Sequence, residues 1–133
     1  MLGRRHLEEM ASHARSEAPN ECCGVLAGSG DRVVRIYTAS NAEASAERYS
    51  LPPRELFRIF KEVERMGWEV LGFYHSHTHT EAYPSATDRD LAFWPDSRYV
   101  IVSLKDPQRP AVRAFRIVDG NVTEDTVEVV QDS

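Results

Sequence analysis

The chain has only two cysteines in 133 residues, and they are neighbours, Cys22 and Cys23, so no loop-closing disulfide framework is available. No apolar run approaches the ~20 residues needed to span a bilayer. The basic start Met1-Leu2-Gly3-Arg4-Arg5-His6 has no apolar stretch of signal-peptide length behind it. Positive charge is in deficit: 16 Lys and Arg stand against 21 Asp and Glu, a net charge of −5. That balance disfavours nucleic acid and anionic membranes as partners. Internal repeats, low-complexity tracts and linkers are also missing. The simplest expectation is a cytoplasmic protein of one domain, residues 1–133, with a genuine core and with no nucleic-acid or membrane partner. Its oligomeric state, homodimer included, stays open. The rest of the composition, 41% hydrophobic and 28% charged, is ordinary for a globular domain.

Periodicity predicts an α+β fold. Leu7, Met10, Ala11 and Ala14 recur at helical spacing over residues 4–17, and Pro19-Asn20 ends that segment. The apolar run Cys22 to Ala27, the turn Gly28-Ser29-Gly30-Asp31 and the run Val33 to Tyr37 read as a hairpin. Asn41 to Tyr49 is polar and alanine-rich, and a surface loop is expected there. Leu51-Pro52-Pro53 opens a second helix with Leu56, Ile59, Phe60 and Val63 on one face, closed by Met66-Gly67 with Gly67 suited to the left-handed position. Glu69 to His77 follows as a strand, Thr78 to Pro84 as a loop, and Ser85 as the cap of a short helix. Tyr99 to Leu104 and Ala111 to Val118 are strands around the turn residues Asp106-Pro107. Asp119-Gly120 then turns into a last strand around Val122 to Val130. The sum is a central, mixed but largely antiparallel sheet flanked by helices.

One segment carries chemistry. Tyr74-His75-Ser76-His77 is followed by Tyr83-Pro84-Ser85-Ala86-Thr87-Asp88. In an extended strand, residues i and i+2 share a face with Cα atoms roughly 7 Å apart. Two imidazoles so placed can converge on one ion at about 2.0–2.1 Å. A helix would turn the same pair about 200° apart. Asp88 can add an oxygen ligand, and three protein ligands leave one position of a tetrahedral zinc open, the arrangement of a catalytic site.

Each residue also has a plainer reading. His75 and His77 could be polar residues on the wet face of an amphipathic strand, and Ser85-x-x-Asp88 could be no more than a helix start. His79, at i+4 from His75, could complete a three-histidine site, but Thr80-Glu81-Ala82 suggests that the chain has left the strand. A hydrolytic site also needs a carboxylate base that is not a ligand. Glu21, Glu69 and Glu81 are candidates, and Glu21 stands out at the mouth of the buried strand that begins with Cys22 and Cys23. Those cysteines read as small core residues, since neighbours in a strand point to opposite faces. Asn41 and Ser103 are cleft candidates with nothing further to mark them.

His75-Ser76-His77, seven residues, Ser85, two residues and Asp88 resemble the motif of the JAMM (MPN+) metalloproteases, and Glu21 within Pro19-Asn20-Glu21-Cys22-Cys23-Gly24 resembles that family's catalytic glutamate. The order of helices and strands is similar over nearly the whole chain. Within the family the chain is similar to the bacterial CysO-cysteine peptidase group, through Tyr74 to Thr78, Thr80 to Asp88, Tyr99 to Ser103 and Arg116 to Gly120. The resemblance implies one zinc per chain held by His75, His77 and Asp88. It implies Glu21 as general base and then acid, and Ser85 as oxyanion stabiliser. The implied reaction is hydrolysis of the C-terminal Gly–Cys bond of a ubiquitin-like sulfur-carrier protein, which releases cysteine in cysteine biosynthesis. The alternatives are an isopeptidase acting on another ubiquitin-like protein and a non-catalytic MPN interaction module. Cys22, where the family has a small residue, and His79 are departures from the pattern.

Overall fold

His6, Met10 and Ala14 fall one above another at intervals of four, and that stripe seats helix α1 (Arg4–Glu17) on the sheet. A computed structural model describes residues 2–43, 45, 49–90, 92 and 94–130 of the chain. Ahead of α1 lies the short strand β1 (Leu2–Gly3). The expected hairpin forms as β2 (Cys23–Ser29) and β3 (Arg32–Ala39). Helix α2 (Pro53–Arg65) starts on a proline at its first position and ends before Gly67, whose φ of 75° makes it the left-handed cap expected. Then come β4 (Glu69–His77), the single helical turn α3 (Ala86–Asp90), β5 (Arg98–Ser103), β6 (Ala111–Val118), β7 (Asn121–Asp125) and β8 (Val129–Val130).

Six strands among the described residues form one sheet in the order β3-β2-β4-β5-β6-β7. All neighbours are antiparallel except β4 and β5, which run parallel because the connection through α3 crosses from one to the other. The mixed, largely antiparallel expectation is therefore met. One strand expectation is corrected. The segment around Val122 to Val130 is not one strand: β7 ends at Asp125, and β8 leaves the main sheet to pair in parallel with β1. A two-residue strand has no periodicity of its own, so this long-range pairing left no trace in the pattern.

Because side chains alternate across a sheet, the two faces carry separate cores. Leu26, Tyr74, Val100 and Val102 pack under α1, and Val25, Phe73, Tyr99 and Ile117 pack with Ile59 and Val63 of α2. Gly24 sits opposite Tyr74 in the β2–β4 ladder, and a Cβ there would collide with the Tyr74 ring and the Tyr37 carbonyl. Gly24→Ala is expected to cost about 1–3 kcal/mol, the usual penalty of overpacking. A urea melt with an unchanged midpoint would show that β2 and β4 adjust without cost.

Candidate metal centre

Strand β4 lies in the middle of the sheet, so its C-terminal end is buried on both sides. In the antiparallel ladder Cys23 faces His75. One step on, Cys22 and Ser76 are joined twice: the Cys22 amide donates to Ser76 Oγ at 2.8 Å, and the Ser76 amide donates to the Cys22 carbonyl at 3.1 Å. Continuing that register brings Glu21 level with His77. Glu21 and Cys23 therefore share a face with His75 and His77, the face covered by α2, while Cys22, Tyr74 and Ser76 face α1. The opposite-face rule for adjacent cysteines holds. Both thiols are buried and free, and burial first of all pushes Cys22 up to about 11 and Cys23 to about 12.

His75, His77 and Asp88 are all buried, and their ligand atoms form a small triangle. His75 Nε2 and His77 Nε2 are 3.2 Å apart, and Asp88 Oδ2 is 3.1 Å from the first and 2.9 Å from the second. Ligands of a tetrahedral ion with bonds of about 2.0–2.1 Å stand about 3.3 Å from one another. The triangle has nearly that size. Its chemistry also fits. His77 Nδ1 is 3.0 Å from the Glu81 carbonyl, which can only accept, so Nδ1 carries the hydrogen. Once the proton at Nε2 is lost, the neutral ring can direct that lone pair at the centre of the triangle, as an outer carbonyl does for a metal-bound histidine. His75 Nδ1 is buried and makes no hydrogen bond, and its ring is held by Tyr49 instead, stacked at 4.3 Å between centroids and 17° from parallel. Two imidazoles and one carboxylate, buried with their acceptor atoms facing one another, suit a divalent ion such as zinc.

Asp88 reaches the triangle from α3, and the helix start is the reason it can. Ser85 Oγ accepts the Asp88 amide at 3.0 Å, while the Ser85 amide donates to Asp88 Oδ2 at 3.0 Å. This is a reciprocal capping box. The plain reading therefore holds, and the same bonds keep the Asp88 side chain turned into the triangle. Burial would raise the Asp88 carboxyl, but hydrogen bonds from His75 and His77 outweigh it and hold the group well below the ordinary carboxylate range. Burial lowers His75. His77 feels burial as well, yet its bonds to Asp88 and the Glu81 carbonyl leave it raised, and the Glu21 charge adds to that.

The family model for prokaryotic homologs of the JAB domain matches residues 3–118. The chain belongs to this family. It is similar to the CysO-cysteine peptidase of Mycobacterium tuberculosis, 48% identical over 124 residues that cover 92% of this chain and 85% of the relative. It is also 42% identical to the desampylase of Haloferax volcanii over 103 residues, 72% of this chain and 74% of the relative. A solution structure of a Desulfitobacterium hafniense protein superposes with a TM-score of 0.88 at 40% identity, covering 99% and 93% of the two chains. A JAB1/MPN domain protein from Archaeoglobus fulgidus shares the fold at 22% identity, with a TM-score of 0.66 over 97% of each chain. This JAB-family chain is a peptidase on a JAMM/MPN-like α+β fold, as the motif resemblance implies.

Within this JAB-family site the other candidates sort by position. Glu21 is only 3% exposed and lies beside the triangle, whereas Glu69 is exposed at the far end of β4. The Glu81 side chain is exposed too, and it is that residue's carbonyl which serves His77. His79 is exposed and outside the triangle. Asn41 and Ser103, unmarked in the sequence, hold the walls. Asn41 Nδ2 donates to the Glu21 carbonyl at 3.0 Å, and its Oδ1 accepts the Glu43 and Ser50 amides. Ser103 Oγ donates to the Thr80 carbonyl and so ties down the loop that presents Glu81 and Ser85. The surface loop expected at Asn41 to Tyr49 needs correction at its end. Positions 44 and 46–48 lie outside the described residues, but Tyr49 is half-buried against His75. No spacing rule could have revealed that stack, because it joins two segments far apart in the chain.

Proposed function

We propose that the chain is a zinc-dependent peptidase that hydrolyses the C-terminal Gly–Cys bond of a ubiquitin-like sulfur-carrier protein and releases cysteine. The observation that supports this best is the buried His75–His77–Asp88 triangle with the Glu21 carboxylate on the same sheet face. The Mycobacterium tuberculosis relative, by its name a CysO-cysteine peptidase, supplies the substrate class.

In this reading one zinc would be held by His75 Nε2, His77 Nε2 and Asp88 Oδ2. When bound, it supplies Lewis acidity that makes water a competent nucleophile near neutral pH and polarises the scissile carbonyl. Glu21 takes the proton of the attacking water and delivers it to the leaving amine of cysteine. Its burial favours that role, because a carboxylate withdrawn from solvent exchanges its proton with the substrate instead of with bulk water. Ser85 donates a hydrogen bond from its hydroxyl to the oxyanion. The capping box is compatible with this: the oxygen accepts the Asp88 amide through a lone pair, which leaves the O–H available as a donor. Loss of one such donor typically costs on the order of 10²–10³ in rate. Ser85→Ala should therefore lose about that much kcat at little cost in KM, and full turnover in that variant would remove the oxyanion role.

The test of the reaction is intact-mass spectrometry of a carrier–cysteine adduct incubated with zinc-loaded protein. Loss of one cysteine from the adduct is the expected result. An uncut adduct with zinc bound would reject this substrate, and the second reading would then lead: cleavage of a lysine-linked ubiquitin-like conjugate, favoured by the similarity to a desampylase.

A further inference from the structure

The first turns of helix α2 carry positive charge on their outward face. Arg54, Arg58 and Lys61 recur at intervals of four and three, and all are exposed. Phe57 sits among them, 63% exposed, with the Lys61 ammonium 5.4 Å from its ring centroid. Together with Pro53 these side chains line a shallow groove. Among the described residues no ion pair is formed by Arg54, Arg58 or Lys61. Two of the helix's acidic residues are engaged on its flank toward β3, where Glu55 accepts the Ser40 amide at 3.1 Å and Glu62 lies 3.8 Å from Arg35 and 3.4 Å from Arg65, while the third, Glu64, is exposed in the last turn, beyond the stripe. In a chain of net charge −5, this leaves a cationic stripe around an exposed aromatic ring. An exposed phenylalanine gains nothing for folding, and unpaired like charges at adjacent turns repel one another. Both costs vanish against an acidic partner with an apolar centre.

The stripe also lies where a substrate protein would need support. The inner side of α2, through Leu56 and Phe60, packs on the same sheet face as the metal triangle, together with Tyr49 and Leu51. Tyr49 stacks on His75, and Glu55 holds Ser40 next to Asn41, which in turn holds Glu21. The start of α2 is thus built into the wall of the site, and its outer face is the neighbouring exposed surface.

Resting on the proposed function, we infer that the Arg54–Phe57–Arg58–Lys61 stripe is the docking surface for the folded body of the sulfur carrier, which it recognises through an acidic patch with an apolar centre. The carrier's extended tail then enters the site past Tyr49, and affinity comes from the body while the chemistry acts on the tail.

The test compares two substrates: the ubiquitin-like sulfur carrier of the same organism as its cysteine adduct, and a synthetic peptide of that adduct's tail alone. The triple variant Arg54→Glu/Arg58→Glu/Lys61→Glu and the single variant Phe57→Ser should each lower kcat/KM for the adduct about tenfold or more, the size of one hot-spot contact. The loss should fall in KM and shrink at high salt for the triple variant. Turnover of the tail peptide should not change, and Arg4→Glu/Arg32→Glu, reversing charge away from α2, should leave both substrates alone. Full kcat/KM on the adduct, or an equal loss on adduct and peptide, would overturn the docking surface. If the unaltered protein cuts neither substrate, the proposed chemistry has failed, and docking is then decided by binding of the intact carrier. Loss of that binding in the α2 variants upholds docking, while unchanged or absent binding overturns it. A single-stranded oligonucleotide that binds through the stripe while carrier binding survives its reversal would assign the stripe to nucleic acid instead.

Discussion

Glu21→Gln should abolish turnover while leaving the fold and zinc content intact. The side chain lies at the entrance of β2, level with His77 across the ladder and on its face of the sheet, and it is nearly inaccessible to solvent. The residue's backbone is held by hydrogen bonds that do not involve the carboxylate. The Glu21 amide donates to the Ser45 carbonyl at 2.7 Å, the Glu21 carbonyl accepts from Asn41, and the next residue is bonded twice to Ser76. The backbone is therefore fixed by its neighbours, and glutamine, equal in size, can occupy the same space. What it cannot do is accept a proton. Positioned general bases contribute about 10²–10⁴ in rate, and here the same group also returns the proton to the amine, so kcat should fall by at least the upper part of that range. The zinc content of the purified variant, measured beside its turnover, separates the roles. A variant that is both inactive and zinc-free would make Glu21 a ligand, and one that retains activity would leave the base to be sought elsewhere.

The contrast between Glu21 and Tyr49 shows where sequence reading succeeds and where it stops. β4 is legible to the residue because two signals coincide on it: an apolar start and a histidine pair whose spacing of two has meaning only in an extended chain. The turn of α3 is legible because a capping box is local, with donor and acceptor three residues apart. Glu21 could be singled out by its place before an apolar strand, but its level with His77 is a matter of strand register, which the ladder between β2 and β4 decides. Tyr49, Asn41 and Ser103 carried no local mark. Each works through one contact to a distant segment, His75, the Glu21 carbonyl and the Thr80 carbonyl respectively. The pairing of β1 with β8 belongs to the same class. Local periodicity determines elements, whereas the second layer around a site is built from long-range contacts that leave no period behind.

Asp88→Asn should separate two kinds of stability that the normal side chain combines. Without metal, Asp88 is the acceptor shared by His75 and His77, which holds its carboxyl well below the ordinary range and leaves His77 raised. The signs follow from linkage. The Asp88 contribution is present above its unfolded value of about 3.9 and is lost as pH falls through the folded one. The His77 contribution is present below its unfolded value of about 6.5 and is lost as pH rises through the folded one. His75, lowered by burial, works the other way: its contribution is present above about 6.5 and lost as pH falls below it. The metal-free protein should therefore be most stable near about pH 6.5. Zinc requires Asp88 ionised and His77 neutral at Nε2, so its binding displaces the His77 proton and strengthens as pH rises. Melting temperature should fall from about pH 6.5 to pH 8 in a chelator and hold or rise over the same interval in excess zinc. Asparagine keeps the shape of the cap but is neutral. It should flatten the metal-free pH dependence and weaken zinc affinity by more than about a hundredfold, beyond the 10–100-fold typical of an outer-shell partner. A chelator-competition titration reads the affinity, and thermal melts read the pH dependence. A variant that keeps the zinc-induced rise in melting temperature would exclude Asp88 as a ligand, reducing it to the cap that its bonds with Ser85 already describe.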